Sequence, residues 1–118
     1  MKNIPCECME RVLSVSSAVD IASETLEYML RGEKIPSHWD TAKRDPGPRF
    51  TEAANSFSYL VKNCGVSPKS LAPMSRGRDI EQSLRDFSVR CEHQYYPSIA
   101  EIDAILDGIW DNINTCEH

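Results

Sequence analysis

Apolar residues recur every three or four positions in four separate stretches of the chain, and this spacing predicts four main helices. The predicted helices span about residues 7–31, 49–64, 78–92 and 99–115. No stretch shows the strict apolar and polar alternation of a half-buried strand. The pattern therefore predicts an all-α fold, a compact bundle of four to five helices that forms a single domain over residues 1–118.

The last predicted helix carries the clearest signal. Ser98 and Glu101 form the S-x-x-E pattern of a capping box, in which each side chain accepts from the other residue's backbone N–H. The helix then shows one wide apolar stripe, which indicates a buried face and would also suit a symmetric dimer, so monomer and homodimer both stay open. The stripe consists of Ile99, Ile102, Leu106, Ile109 and Ile113, with Ile105 and Trp110 at its edges.

The opposite face of this helix is acidic. Asp103, Asp107 and Asp111 follow each other at intervals of four residues, so three like charges lie in one line. No Lys or Arg lies in the same helix to offset them, and small residues such as Gly108 separate them. Such charge runs are commonly solvated faces, and the alternative is a smooth docking surface for a basic partner.

A second acidic line lies on the first predicted helix, where Asp20, Glu24 and Glu27 follow each other at helical spacing. If the first and last helices pack side by side, the two lines merge into one negative surface. All these carboxylates are expected on outward faces, where nothing would shift their pKa values.

The connection between the first two helices is rich in proline. Pro36, Pro46 and Pro48 predict irregular structure over residues 33–48, because proline lacks a backbone donor and constrains its neighbours. Trp39 is expected to fold back from this connection onto the core, since a large aromatic side chain gains much from burial.

The charged residues are distributed unevenly along the chain. The chain has a net charge of −5 and an ordinary globular composition, with 41% apolar and 26% charged residues. Residues 79–118 carry nine acidic and two basic side chains, whereas residues 62–78 carry four basic and no acidic ones. This asymmetry favours steering of charged partners. The absence of a membrane-length apolar run and of a signal-peptide pattern leads us to expect a cytoplasmic protein without membrane contact.

The basic segment contains one local motif, LVKNCGVSPKSLAPMSR at residues 60–76. Gly65 occupies a turn position, and Ser67 and Pro68 would begin a second helix. The stretch resembles a helix-turn-helix, which implies a small DNA-binding regulator as the alternative function. Pro73 departs from the pattern because it interrupts the recognition helix. The residues that the resemblance implies for nucleic-acid contacts are Lys69, Ser70, Arg76 and Arg78.

The five cysteines pose a separate question. Their odd number and the missing signal peptide argue against a secreted disulfide framework, so free thiols that behave as small apolar residues are expected. An up-and-down bundle would bring four of them and a histidine to one pole, enough for a tetrahedral zinc ion. Their spacing argues against zinc, because paired ligands in structural sites usually lie two to four residues apart. These residues are Cys6, Cys8, Cys64, Cys116 and His118.

No catalytic constellation is recognisable in the sequence. His38 lies beside Asp40, and Cys91 beside His93, but a nucleophile and its base meet in space rather than by being two residues apart. Glycine-rich phosphate loops and G-x-S-x-G are absent from the sequence. We therefore expect no enzyme activity and no cofactor. The leading hypothesis is an acidic inhibitor-, immunity- or antitoxin-like protein, or an adaptor, which docks on a basic surface of a partner such as a nucleic-acid-binding protein and mimics its ligand.

Overall fold

The computed structural model describes residues 4–68, 79–113 and 116–117. In these ranges the chain forms four helices, and a pair of two-residue parallel strands lies near the chain ends. The elements are β1 (Ile4–Pro5), α1 (Cys6–Leu30), α2 (Pro46–Asn63), α3 (Ile80–Glu92), α4 (Ile99–Asn112) and β2 (Cys116–Glu117). The predicted all-α bundle is confirmed. The strand pair is too short to show an alternating pattern in the sequence.

The first three helices run antiparallel in turn, with α2 packed between α1 and α3. Cys8 near the start of α1 is bonded to Cys64 just after α2. The hydroxyl of Ser88, near the end of α3, donates to the carbonyl oxygen of Gly47 at the start of α2, at 2.8 Å. Helix α4 lies against α1 and, over a smaller area, against α3. One face of α4 therefore remains available to solvent.

The buried side chains of the four helices and β1 form one apolar core. Phe50 of α2 and Phe87 of α3 meet edge to face in it, with ring centroids 5.3 Å apart. Each fully buried Ile or Phe side chain contributes about 1.5–3 kcal/mol relative to exposure, so this core dominates the stability of the bundle. From α4 and its C-cap the buried isoleucines are Ile102, Ile105, Ile109 and Ile113.

Local hydrogen bonds define the start of α4 and the end of α1. The Glu101 N–H donates to Ser98 Oγ at 3.2 Å, and the Ser98 N–H donates to Glu101 Oε2 at 2.8 Å, so the capping box of α4 is confirmed. After α1, Gly32 adopts a φ of +68°, and the Glu33 N–H donates back to the Tyr28 carbonyl oxygen at 3.0 Å. This geometry is the Schellman ending for which glycine is favoured.

Helix α2 begins three residues earlier than predicted. The prediction that the prolines exclude regular structure is wrong at Pro46 and Pro48, which lie in the first turn of α2. N–H groups in the first turn have no helical acceptor, so proline loses nothing there. Asp45 caps this helix, and its Oδ1 accepts from the Gly47 N–H at 3.3 Å. The prolines thus start the helix rather than delay it.

The other helix bounds agree with the prediction or differ from it by at most three residues. Helix α3 begins at Ile80 because Asp79 forms a capping box with Gln82. Helix α4 ends at Asn112, where Ile113 turns to an extended backbone with ψ of 124°. None of the helices in the described ranges combines the length and the apolar character that a membrane span needs.

The expectation of free thiols is wrong for four of the five cysteines. Cys6 is bonded to Cys116, with Cα atoms 4.5 Å apart, and Cys8 to Cys64, with Cα atoms 6.1 Å apart. An odd number of cysteines excludes only complete pairing, and the fold brings these four together at one end of the bundle. Their sulfurs are joined to each other and so are not free to bind zinc. His118 lies outside the described residues.

Glu101 generates a prediction about stability. Its carboxylate accepts from Arg90 Nη1 of α3 at 3.1 Å. Burial alone would raise the pKa of Glu101, but hydrogen bonds from Arg90 and Ser98 and the charge of Arg90 lower it. A lowered pKa means that the folded state is stabilised above the unfolded value of about 4.3, and that this contribution is lost as the pH falls through the folded pKa. We expect Glu101→Gln to lower the free energy of unfolding by about 1 kcal/mol at pH 7, measured by urea denaturation.

The matched control is Glu92→Gln, at the exposed end of α3. It should change the unfolding free energy by less than about 0.5 kcal/mol at neutral pH. The difference between Glu101→Gln and the wild type should shrink as the pH falls through the folded pKa of Glu101, because the wild-type carboxyl group is then protonated in both the folded and the unfolded state. A loss that is independent of pH would contradict the ionic origin.

Candidate protein-binding site

The two acidic lines predicted from the sequence lie on helices that pack against each other, α1 and α4. Asp103 of α4 is near enough to Asp20 of α1 for its charge to raise the pKa of Asp20. Asp107 and Asp111 continue the line along α4, and all four carboxylates are exposed. We call these four residues, Asp20, Asp103, Asp107 and Asp111, the acidic strip.

The expectation that no carboxylate has a shifted pKa is wrong for Asp20. Burial contributes most to raising its pKa, and the charges of Glu24 and Asp103 add to the effect. Two of the three causes depend on neighbours, one on the same helix and one across the α1–α4 contact. The negative charges in this part of the surface therefore repel one another.

The other two predicted residues of the α1 line have cations of their own. Arg44 Nη2 lies 3.3 Å from Glu24 Oε2, and Arg31 Nη2 lies 3.7 Å from Glu27 Oε2. Glu24 and Glu27 are thus partly neutralised within the chain. The site residues predicted from the sequence therefore divide into four in the acidic strip and two in ion pairs.

Arg44 is held beside α1 by the connection between the first two helices. The Trp39 ring packs edge-on against Tyr28 of α1, with ring centroids 5.1 Å apart. The Arg44 guanidinium lies over the same Trp39 ring, 3.8 Å from its centroid, in a cation–π arrangement. Trp39 thus folds back onto Tyr28 of α1 rather than into the buried core, and it places the cation that pairs with Glu24.

The three aspartates of α4 have no such cation. Within the part of the chain that the structure describes, no Lys, Arg or His side chain lies within ion-pair distance of Asp103, Asp107 or Asp111. Gly108, expected to lie among them, is instead buried, so it belongs to the packed side of α4. The exposed face therefore carries the three predicted aspartates without Gly108 between them.

Trp110 also belongs to this exposed face, although the apolar pattern places it at the edge of the buried stripe. It follows Asp107 by three residues and Asp103 by seven, a spacing that places it on the same side of the helix. Its side chain is 40% exposed, although the pattern groups it with the buried stripe. The signal that could have found it is its position at the edge of that stripe, next to the aspartate line.

The residues of the alternative site lie outside the described part of the chain. This holds for Lys69, Ser70, Arg76 and Arg78 and for the rest of the second helix of the proposed motif. The preceding residues are described: α2 ends at Asn63, and Gly65 adopts a φ of +70°. The Ile80 N–H donates to the Pro68 carbonyl oxygen at 3.3 Å. The described residues before position 69 and after position 78 therefore lie side by side.

The two residue pairs considered for catalysis have other surroundings. Asp40 Oδ1 accepts from the backbone N–H of Ala42 at 3.1 Å, so it stabilises a turn. Cys91 is a free, half-buried thiol, and burial, together with the charge of Asp45, raises its pKa to about 11. A thiol with this pKa is almost entirely protonated near neutral pH, and the protonated form is not the nucleophile.

Comparisons with protein-family models, with curated proteins and with solved structures give no match to this chain. The function therefore has to be argued from the geometry of the bundle. Its distinctive surface feature is the line of exposed aspartates on α4, next to Asp20, which have no cation among the described residues.

The electrostatic repulsion between Asp20 and Asp103 leads to a second prediction. Replacing Asp103 with Asn removes one of the charges that raise the pKa of Asp20, so that pKa should fall in Asp103→Asn. The pKa of the Asp20 carboxyl can be followed by ¹³C NMR across an acid titration. Asp111→Asn, two helical turns farther along α4, is the control and should leave the Asp20 pKa closer to the wild-type value. An equal effect of both changes would contradict a specific interaction of the Asp103 charge with Asp20.

Asp20 also gives a prediction about stability. Because the pKa of Asp20 is raised in the folded state, its ionisation disfavours folding as the pH rises through the folded pKa. Asp20→Asn should therefore increase the melting temperature at pH 7, and the increase should vanish at a pH low enough to protonate the carboxyl in both states. A lower melting temperature at pH 7 would show that Asp20 makes a favourable contact instead.

Proposed function

We propose that this protein is a non-enzymatic binding module that docks its acidic strip on a basic surface of another protein. It would act as an inhibitor-, immunity- or antitoxin-like protein, or as an adaptor. The observation that carries the proposal is the line of three exposed aspartates on α4 that lacks a cation among the described residues, beside the repelled carboxylate of Asp20. Like charges held together reduce the stability of the free protein, and a basic partner would relieve that repulsion.

The contrast with Glu24 and Glu27 supports this proposal. The chain supplies Arg44 and Arg31 to these two carboxylates but leaves the α4 aspartates, among the described residues, without a cation. An exposed ion pair within the chain contributes at most about 1 kcal/mol to the free energy of unfolding. The stability of the fold therefore depends little on whether a surface carboxylate has a cation beside it. Charges that a partner must neutralise are useful for association, since complementary potentials mainly increase the association rate and the choice of partner.

The spacing of the aspartates bears on the kind of ligand that the strip mimics. Four residues of an α-helix advance about 6 Å, so the α4 line presents one charge per turn. A nucleic-acid strand carries one phosphate per about 3.4 Å of helix axis, nearly twice that density. The strand winds around that axis, so its neighbouring phosphates lie farther apart than this rise, and the aspartate line is comparable to them as a row of single negative charges.

Trp110 adds an anchor to this charged surface. Interface hot spots are enriched in Trp, and a guanidinium can stack on an indole ring while it binds a carboxylate through two hydrogen bonds. An arginine of the partner would thus satisfy both Trp110 and a neighbouring aspartate. We propose an arginine-rich rather than a lysine-rich surface, because a lysine ammonium lacks the planar fork.

Several expectations from the sequence remain predictions. They are the absence of enzyme activity, the cytoplasmic location, the choice between monomer and homodimer, and the alternative function as a DNA-binding regulator. The alternative depends on basic residues that lie outside the described ranges. Capture of partners with and without nuclease separates it from the main proposal.

A fourth prediction concerns binding. The tagged protein is used to capture partners from the lysate of its native source, with and without nuclease. Wild type should retain a stoichiometric, nuclease-resistant protein, and the triple change Asp103→Lys, Asp107→Lys and Asp111→Lys should lose it. With the purified pair at low salt, we expect association at least about tenfold slower for the triple variant, because electrostatic steering acts on the association rate.

The matched control is the triple change Glu10→Lys, Glu33→Lys and Glu92→Lys, which alters the net charge equally at exposed positions outside the acidic strip. It should retain the partner. Unchanged affinity of the aspartate variant at low salt would remove the proposal. Recovery of nucleic acid alone, abolished by nuclease, would favour the DNA-binding alternative, in which neutralising Lys69, Arg76 and Arg78 should flatten the salt dependence of binding.

A further inference from the structure

Four cysteines tie the two chain ends and the end of α2 to the start of α1. Cys6 and Cys116 are 110 residues apart in the chain, and Cys8 and Cys64 are 56 residues apart. Both bonds involve the first turn of α1. They nevertheless fasten different partners, because Cys64 follows α2 whereas Cys116 lies in β2, which follows α4.

The two disulfides differ in exposure. Cys8 and Cys64 are 5% and 6% exposed and belong to the apolar core. Cys6 and Cys116 are both partly exposed. Reduction requires a thiolate to reach one of the two sulfurs, so access is a main determinant of its rate. The Cys6–Cys116 bond is therefore the one open to a reductant in the folded protein.

The exposed disulfide secures the part of the bundle that carries the acidic strip. The contacts of α4 with α1 and α3 are less extensive than the contacts of α2 with the same two helices. The first turn of α4 is joined to α3 by the ion pair between Arg90 and Glu101. Beyond its last turn, the chain is held by the β1–β2 pairing and by Cys116. If α4 detaches from the core while this disulfide is intact, the chain that contains α4 is still joined to α3 at one end and to α1 through Cys116 at the other. The detached state therefore gains little conformational freedom.

We propose that Cys6–Cys116 is a reducible lock on α4 and on the acidic strip, and that Cys8–Cys64 is a protected structural bond. The consequence for binding rests on the proposed function of the strip, whereas the lock itself does not. A reducing environment would loosen the α4 half of the strip from Asp20, and an oxidising environment would hold it assembled. The lock makes the binding surface sensitive to the redox state of the compartment.

The chemistry of the lock is a two-electron thiol–disulfide exchange with a dithiol reductant. A thiolate of the reductant attacks one sulfur, forms a mixed disulfide and expels the other cysteine as a thiolate. The second thiol of the reductant then displaces the first cysteine. Cys6 and Cys116 finish as two thiols that have gained two electrons and two protons, and the reductant finishes as a disulfide. Cys91 does not compete as an internal nucleophile, because it is half buried and almost fully protonated.

The first test measures the order of reduction. The folded wild-type protein is treated with increasing dithiothreitol, quenched with N-ethylmaleimide, and mapped by peptide mass spectrometry. We expect Cys6 and Cys116 to become labelled at least about tenfold faster than Cys8 and Cys64, because reduction depends on access to the sulfur. Simultaneous labelling of all four, or earlier labelling of Cys8 and Cys64, would overturn the proposal.

The second test measures the opening of α4 by hydrogen exchange. The double change Cys6→Ala and Cys116→Ala should speed the exchange of α4 amides by roughly a hundredfold relative to α2 amides, the order expected when closure of a loop of about 20 residues is lost. The control, Cys8→Ala and Cys64→Ala, should not speed α4 relative to α2. If the first variant does not fold, selectively reduced and alkylated wild type replaces it. Equal changes in α2 and α4 would overturn the lock.

Binding measurements distinguish the lock from the proposed function. With the captured partner, reduced wild type should bind several-fold more weakly than the oxidised form, because fewer molecules have an assembled strip. If α4 opens on reduction while affinity is unchanged, the lock stands and the proposed function of the strip fails. If the three Asp→Lys changes abolish binding while reduction leaves α4 exchange unchanged, the proposed function stands and the lock fails.

Discussion

The packing of α4 against the core is the interaction on which the surface of this protein depends. Four isoleucines of α4 and its C-cap are buried, and each contributes about 1.5–3 kcal/mol. The same packing places Asp103 near Asp20, where their repulsion in contact with solvent costs on the order of 1 kcal/mol or less. Burial of the apolar stripe outweighs this repulsion, so the bundle tolerates the electrostatic cost. The acidic strip is thus a consequence of the way the core is completed.

The chain treats its acidic residues in two ways. Toward the end of α1, the fold supplies cations: Trp39 packs on Tyr28 and places Arg44 beside Glu24. To the three aspartates of α4 it supplies none among the described residues, and Trp110 remains partly exposed on the same side. The proposed binding site combines carboxylates that lack a cation among the described residues with an exposed indole, and both are features that favour recognition of a basic partner. This contrast is the physical basis for the proposed function.

The two disulfides support different helices and differ in their exposure to solvent. The bond between Cys8 and Cys64 lies within the core and joins α1 to α2, which already share an extensive apolar contact. The bond between Cys6 and Cys116 is more exposed and supports α4, which has less contact of its own. Covalent support is therefore most important for the element that carries most of the acidic strip, and there it is most accessible to a reductant.

Local sequence determined the helices, because their signals act within one turn or along one face. The capping box of Ser98 and Glu101, the glycine ending at Gly32 and the apolar stripe of α4 each require only neighbouring residues. The start of α2 differs from the prediction because proline disrupts a helix at interior positions but not in its first turn. Pro46 and Pro48 occupy first-turn positions, where a missing N–H has no consequence.

Only the tertiary structure decided which distant groups meet. The odd cysteine count suggested free thiols, but pairing depends on distances in space, and the antiparallel arrangement brings Cys6 to Cys116 and Cys8 to Cys64. Likewise, the sequence showed two acidic lines but not which of their carboxylates would adjoin each other and which would meet an arginine. Periodicity fixes which side of a helix a residue occupies. The partner on that side depends on helix packing, which is set by the shape and burial of the whole core.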